Sequence, residues 1–263
     1  MSTIVVRARW VTQTGQVLRR WLISTFRQVW GPVMSLVQPV IWIVLFGQVF
    51  HSLGALPQFG DAGYIAYLVP GILMMTVLYS GAWAGTGYID DIGSGVMDQY
   101  LTSPISRSAI VTGQLVQQLI INAAQSLLVI GIGALAGARY PGGVGGMLVV
   151  LVVASLLAAI FCCCSTAVAL ISRSQIALIS LSQLIVLPAT FLSTTMMPAS
   201  LQPGWVQAVS TWNPMTWAVE LGRGALAGTF PDDGWWQLGG LAVLTALAFI
   251  WAVRSLRSYQ RSM

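Results

Sequence analysis

Long apolar runs separated by short polar punctuation dominate this chain. A helix crossing the hydrocarbon core of a bilayer needs about 20 mostly apolar residues. Six runs approach that length: Val33 to Phe50, Tyr64 to Gly87, Ala109 to Ala136, Gly145 to Ile171, Ile176 to Met196 and Trp235 to Val253. None carries a charged residue within its apolar core. The first is short and contains Pro39, and the fourth and fifth are separated by a turn containing Arg173. The pattern predicts an all-α integral membrane protein with six transmembrane helices.

Three segments fall outside these runs. Residues 5–30 place Trp10, Val11, Val17, Leu18, Trp21, Leu22, Thr25 and Val29 at helical spacing, with Arg9, Gln13, Gln16, Arg19, Arg20 and Arg27 mainly opposite. That is an amphipathic helix suited to the headgroup plane. It is either a topology anchor or a surface gripped by a partner. No A-x-A-type site follows a short apolar core, so no cleaved signal peptide is expected. Residues 1–32 form this interface helix, and residues 33–263 form one membrane domain.

The second segment, Tyr88 to Ser108, holds Asp90, Asp91 and Asp98. Gly93 and Gly95 break the preceding helix, Met97 to Leu101 make a short helical turn, and Ser103-Pro104 ends it. This is either a solvated loop with its aspartates paired to nearby arginines, or a docking element. The third segment, Met197 to Gly234, opens a region holding five of the eleven tryptophans: Trp205, Trp212, Trp217, Trp235 and Trp236. Tryptophan favours the membrane interface. Pro203 and Pro214 each sit where a helix begins. Two short helices are expected, Pro203 to Ser210 and Pro214 to Leu226, with Glu220 and Arg223 as an i,i+3 pair on the second. They are either interfacial helices or a re-entrant hairpin.

Polar side chains also line the spans. Gln114, Gln117, Gln118, Asn122, Gln125 and Ser126 share one face of the third. The fifth carries Ser180, Gln183, Thr190 and Thr194 around Pro188. The second carries Thr76, Tyr79, Ser80, Trp83 and Thr86, and the first offers Gln38, Trp42 and Phe46. Uncharged amides and hydroxyls link membrane helices, so these stripes read as interhelical glue. They also read as the wall of a cavity for an amphipathic organic molecule, to which Met74, Met75 and Phe191 add soft or aromatic surface.

Composition sharpens this picture. Hydrophobic residues make up 56% of the 263 residues and charged residues 7%, with a mean hydropathy of +0.79. That is too little charge for a soluble domain or for a nucleic-acid binder working by phosphate neutralisation. All twelve cationic residues are arginine. Without lysine there is no Schiff base and no Walker A phosphate loop. His51 is the one histidine, which leaves no multi-histidine metal site, and it reads as a polar end-cap of the first span. Consecutive Cys162, Cys163 and Cys164 point about 100° apart on a helix and read as small apolar filler.

The arginines set orientation. Arg7, Arg9, Arg19, Arg20, Arg27, Arg107, Arg173, Arg254, Arg257 and Arg261 fall on one side of a six-span chain, with Arg139 and Arg223 on the other. Both termini are expected in the cytoplasm.

The sequence Tyr67-Leu68-Val69-Pro70-Gly71-Ile72, then Asp90-Asp91, Gly95 and Leu101-Thr102-Ser103-Pro104-Ile105-Ser106-Arg107, then Gly113, and finally Asn213-Pro214, Glu220, Arg223 and Gly224 together resemble the permease subunit of an ABC-2 type exporter of the daunorubicin-resistance kind. The resemblance covers nearly the whole chain. It implies a bacterial plasma-membrane permease that pairs with a second protomer, alike or different, and sits on two copies of an ATP-binding subunit. ATP and Mg would bind there and none in this chain. Asp90, Asp91, Gly95, Asp98, Leu101, Pro104 and Arg107 would form the coupling element. Gln38, Trp42, Phe46, Met75, Tyr79, Trp83, Gln183, Phe191 and Thr194 would line the substrate path. Asn213, Pro214, Glu220 and Arg223 would belong to the outer gate. The substrate would be a small amphipathic molecule or lipid, moved by alternating access.

Two other classes fit less well. An ion-coupled transporter or channel usually places ionisable residues at mid-membrane, and none of the six cores has one. A membrane enzyme would need His51 or a loop aspartate as its base, and no serine elbow or paired carboxylate accompanies them.

Overall fold

A computed structural model describes residues 2–27, 30–49, 63–231 and 233–261. His51 and the end of the first apolar run lie outside the described residues. Every element among those described is helical: α1 (Ser2–Arg27), α2 (Trp30–Val49), α3 (Gly63–Trp83), α4 (Thr86–Gly93), α5 (Val96–Thr102), α6 (Arg107–Leu135), α7 (Gly143–Ser172), α8 (Gln175–Phe191), α9 (Gly204–Ser210), α10 (Pro214–Ala227) and α11 (Gly234–Arg261), with a 3-10 turn at Ala199–Leu201.

Four stretches are long and apolar enough to cross a membrane: Tyr64–Gly93, Arg107–Leu135, Gly143–Ser172 and Gly234–Arg261. The chain is therefore a multi-pass membrane protein. α8 is shorter than its apolar run. It stops at Phe191, so its 17 residues rise about 25 Å. Thr194 consequently lies beyond the helix, in the turn that follows.

The most apolar of the four, α7, is the hub. It packs against α11, α3, α10 and α6, and more lightly against α4 and α8. Two apolar cores stack along it. One joins Leu73 and Leu78 of α3, Val129 of α6, Leu157 of α7, Leu221 of α10 and Leu241 of α11. The other joins Tyr88 of α4, Met97 of α5, Ile110 of α6, Leu170 of α7, Leu178 of α8 and Leu256 of α11. Cys162 and Cys163 are buried thiols on α7 without a disulfide, in keeping with apolar filler.

The second apolar run is not one helix. α3 ends at Trp83 and α4 starts at Thr86. Backbone groups freed in a membrane interior need new partners, and the neighbouring helices supply them. The Ala82 carbonyl accepts from Ser165 Oγ of α7 (2.6 Å) and from Ser182 Oγ of α8 (3.0 Å). The Ala84 carbonyl accepts from Gln114 Nε2 of α6 (2.7 Å), and Gly85 N donates to Ser165 Oγ (2.9 Å). The α6 stripe is fully buried from Gln114 to Ser126. Gln118 Nε2 donates to Ser80 Oγ (2.7 Å) and to Asn122 Oδ1 (3.2 Å), and Gln114 Oε1 accepts from Thr166 Oγ1 (3.2 Å). The stripe thus acts as interhelical glue around a helix break.

Candidate functional site

Two faces carry the residues singled out from the sequence. The first is built by α1, α4, α5 and the start of α6. Gly95 adopts a positive φ of 73°, a conformation that glycine enters without steric cost. That turns the chain from α4 into α5. Ser106 then caps α6, accepting from Ala109 N at 3.3 Å.

α1 lies along α6 and is bolted to this turn. Gln13 Nε2 donates to the Pro104 carbonyl (3.0 Å), and Gln13 Oε1 accepts from Ser106 N (3.1 Å). Trp10 Nε1 donates to Ser108 Oγ (3.1 Å) and Gln117 Nε2 to Thr25 Oγ1 (2.8 Å). Close approach needs glycine: a Cβ on Gly113 would fall 2.6 Å from Val17 Cγ1, and one on Gly87 would strike the Trp21 ring. Arg20 Nη2 donates to both carboxylate oxygens of Asp91. The same guanidinium lies 5.1 Å from the ring centroids of Trp21 and Tyr100. Asp91 is 7% exposed, so it is held inside the chain. Asp90, Asp98 and Pro104 are exposed, while Leu101 and Arg107 are half-buried. Of the two readings of this loop, the aspartate paired to an arginine holds for Asp91, and Asp90 and Asp98 remain at the surface.

Arg20 and Gln13 were not among the sequence candidates for this site. Both lie on the polar side of α1, where periodicity alone does not distinguish a headgroup contact from a contact with the chain 71 or 91 residues ahead.

The second face surrounds the end of α8. Asn213 caps α10 by accepting from Met215 N (2.9 Å), with Pro214 at the first helical position. Its Nδ2 donates to the carbonyls of Ala189 (2.7 Å) and Leu192 (3.1 Å). Arg223 Nη2 donates to the carbonyls of Thr194 (2.7 Å) and Thr195 (3.0 Å), and its Nε to the Tyr67 carbonyl (3.0 Å). The guanidinium stacks 3.5 Å from the Tyr67 ring centroid, and Tyr67 Oη donates to the Thr194 carbonyl (3.1 Å). The last carbonyls of a helix have no partner within it, and α10 supplies donors to those of α8. Burial pulls the Arg223 pKa down to about 10, against the favourable pull of Tyr67 and Glu220, so it stays cationic at neutral pH.

The expected Glu220–Arg223 pair is not closed: among the described residues the ion pair is Arg20–Asp91. Arg223 turns to the carbonyls, and Glu220 Oε2 accepts from Gln237 Nε2 of α11 (3.2 Å). Burial pushes Glu220 up, partly offset by Gln237 and Arg223. α10 itself packs against α3, α7 and α11, whereas Trp205 and Trp212 around α9 are exposed.

Beside this face is an open cavity of about 400 Å³. Phe46, Tyr64, Phe191, Met196, Met197 and Leu201 are among its lining residues. Phe46 stacks on Trp42 at 4.8 Å, and Phe191 is 63% exposed. The other expected path residues are dispersed. Gln38 is exposed on α2, Met75 is buried in the core, Tyr79 and Trp83 make an edge contact at 6.0 Å, and Gln183 is half-buried on α8. Thr194 is buried and contributes its carbonyl to Arg223.

A profile of the ABC-2 type transporter family matches residues 12–227. The chain belongs to that family. The match takes in α1 from residue 12 onward, most of both faces just described and all of α10. Named relatives agree. The "Daunorubicin resistance ABC transporter permease protein DrrB1" of Streptomyces coeruleorubidus is 27% identical over 90% of this chain and 86% of its own length. The "Putative transport permease ycf38" of Cyanophora paradoxa is 25% identical over 78% of this chain and 70% of its own. The "Probable doxorubicin resistance ABC transporter permease protein DrrC" of Mycobacterium tuberculosis is 23% identical over 84% and 78%.

Proposed function

We propose that this chain is the permease subunit of an ATP-driven exporter that moves amphipathic small molecules or lipids out of a bacterial cell. The observation that carries the reading is the ABC-2 family match, supported by relatives named for daunorubicin and doxorubicin resistance. Six helices, α2, α3, α6, α7, α8 and α11, span the plasma membrane, and both termini face the cytoplasm. The permease works as a dimer, with a like or a sister protomer, on two ATP-binding subunits that hold ATP and Mg.

The α4–α5 turn couples to the ATPase. Asp90, Asp98 and Pro104 contact the partner directly. Gly95, Leu101 and Arg107 shape the element, and Asp91 ties it to α1. At the other end, Asn213, Pro214, Glu220 and Arg223 hold the outer gate, with α9 and α10 as the re-entrant pair. Substrate passes between protomers along Gln38, Trp42, Phe46, Met75, Tyr79, Trp83, Gln183, Phe191 and Thr194, by alternating access. A cavity walled by aromatic and methionine side chains suits flat amphipathic molecules.

The test is transport in inverted membrane vesicles holding this chain with its ATPase. Uptake of a fluorescent anthracycline should require both chains and ATP, and should survive a protonophore. Uptake that persists without the ATPase, or collapses with the protonophore while ATP stays high, overturns the reading.

A further inference from the structure

A separate cavity, of about 410 Å³, opens where the start of α6 meets the end of α11. It is lined by Ser106, Arg107, Ser108, Arg257, Gln260 and Arg261. Among the described residues, three guanidinium groups border one space and no carboxylate does.

Its hydrogen-bonding inventory is one-sided. Arg107 donates from Nε to Gln260 Oε1 at 2.9 Å, and from Nη2 to the same oxygen. That occupies the carboxamide acceptor and leaves the Gln260 amide N–H groups as donors. Ser106 Oγ accepts from Ala109 N, and Ser108 Oγ accepts from Trp10 Nε1. Each hydroxyl keeps its proton to donate. The Ser106 carbonyl already accepts from Ala109 N and Ile110 N. The ion pair among the described residues lies elsewhere, at Arg20–Asp91.

Helix-dipole compensation accounts for part of this. Cations in the last turns of α11 are favourable, and so explain Arg257 and Arg261. The same rule makes a cation at the first position of α6 unfavourable. Arg107 sits there, clamped by Gln260 beside two like charges. An anion shared by all three removes that repulsion.

We propose that this cavity binds an anionic phosphate group, the chemistry common to an anionic phospholipid headgroup and to soluble phosphate. Its height favours the lipid. α6 enters its apolar run at Ala109 and α11 leaves its own at Val253, so the cavity lies at headgroup level, where basic pockets between helices bind such headgroups. The proposal rests on the transport reading only for the choice of the cytoplasmic leaflet.

Native mass spectrometry of the full chain, released from micelles doped with equal phosphatidylglycerol and phosphatidylcholine, tests it without the ATPase, so its failure is separable from that of the transport reading. The wild-type chain should retain phosphatidylglycerol preferentially. R257Q/R261Q should weaken that retention by up to about 25-fold, about fivefold for each arginine. R257K/R261K should keep most of it, which separates charge from misfolding. R19Q/R27Q removes the same charge from exposed positions on α1 and should weaken retention much less. A phosphate-dependent rise in melting temperature, measured against chloride at equal ionic strength and lost in R257Q/R261Q, would place a soluble phosphate there instead and support the same chemistry. Equal losses in R257Q/R261Q and R19Q/R27Q, or neither lipid preference nor phosphate shift in the wild-type chain, overturn the proposal.

Discussion

Arg20 and Asp91 lie 71 residues apart, yet one guanidinium nitrogen of Arg20 reaches both oxygens of the Asp91 carboxylate. The pair joins α1 to α4 across the face proposed to meet the ATPase. Removing either partner leaves a partly buried charge alone. Asp91→Asn and Arg20→Gln should each lower stability by about 1–3 kcal/mol and reduce transport per ATP hydrolysed. The reversed pair R20D/D91R should recover part of both. Thermal melting in micelles and the transport-to-hydrolysis ratio in vesicles check this, and a reversed pair no better than the singles would refute it.

Gln114 covers the carbonyl freed where α3 breaks. Gln114→Leu should cost about 1–3 kcal/mol, the penalty for a buried acceptor without a donor. Gln118→Leu should cost less, because the Ser80 hydroxyl can turn to its own helix carbonyl. The order of the two melting temperatures is the readout.

Arg223 donates to three carbonyls from three different residues and stacks on Tyr67. Lysine keeps the charge but not the planar fork. Arg223→Lys should therefore lower the melting temperature nearly as much as Arg223→Gln. If lysine restores wild-type stability, charge alone does the work.

Glu220 has its carboxyl raised by burial. A carboxyl whose folded pKa lies above its unfolded value binds its proton more tightly when folded. Its ionisation therefore takes stability away as pH rises through the interval between the unfolded and folded values. Glu220→Gln keeps an acceptor for Gln237 and removes the charge. It should raise the melting temperature at pH 7.5 and leave it unchanged at pH 4, as scans at the two pH values will show.

Phe46 and Phe191 line the cavity beside the end of α8, and Phe191 is mostly exposed. Phe191→Ala should change the rank order of transported compounds while moving the melting temperature little. Equal loss for every compound would mark the ring as structural. Phe46→Ala, which breaks the stack on Trp42, should do both.

Local chemistry made parts of this architecture readable from the sequence. Asn213-Pro214 announces the start of α10, Gly95 the turn before α5, and Ser103-Pro104 the end of α5. Each works within a few residues of itself. The break between α3 and α4 was not readable, because the run Tyr64 to Gly87 has no proline near Ala84. The break holds through Gln114, Ser165 and Ser182, which come from three other helices. The end of α8 was hidden for the same reason: Ile176 to Met196 carries no charge to mark it, and the donors to the Ala189 and Leu192 carbonyls at the helix end belong to Asn213. The i,i+3 spacing of Glu220 and Arg223 predicted a pair, but two carbonyls beyond α8 and one on α3 offered Arg223 three acceptors at once.

The interruption at Ala84-Gly85 divides one long rod into two bodies with different allegiances. The upper body is wedged against α7 and α10 and shares their rigidity. The lower body is riveted to α1 through Arg20 and Asp91. The joint between the two bodies strands no carbonyl in lipid, because Ser165, Ser182 and Gln114 of three neighbouring helices cover it.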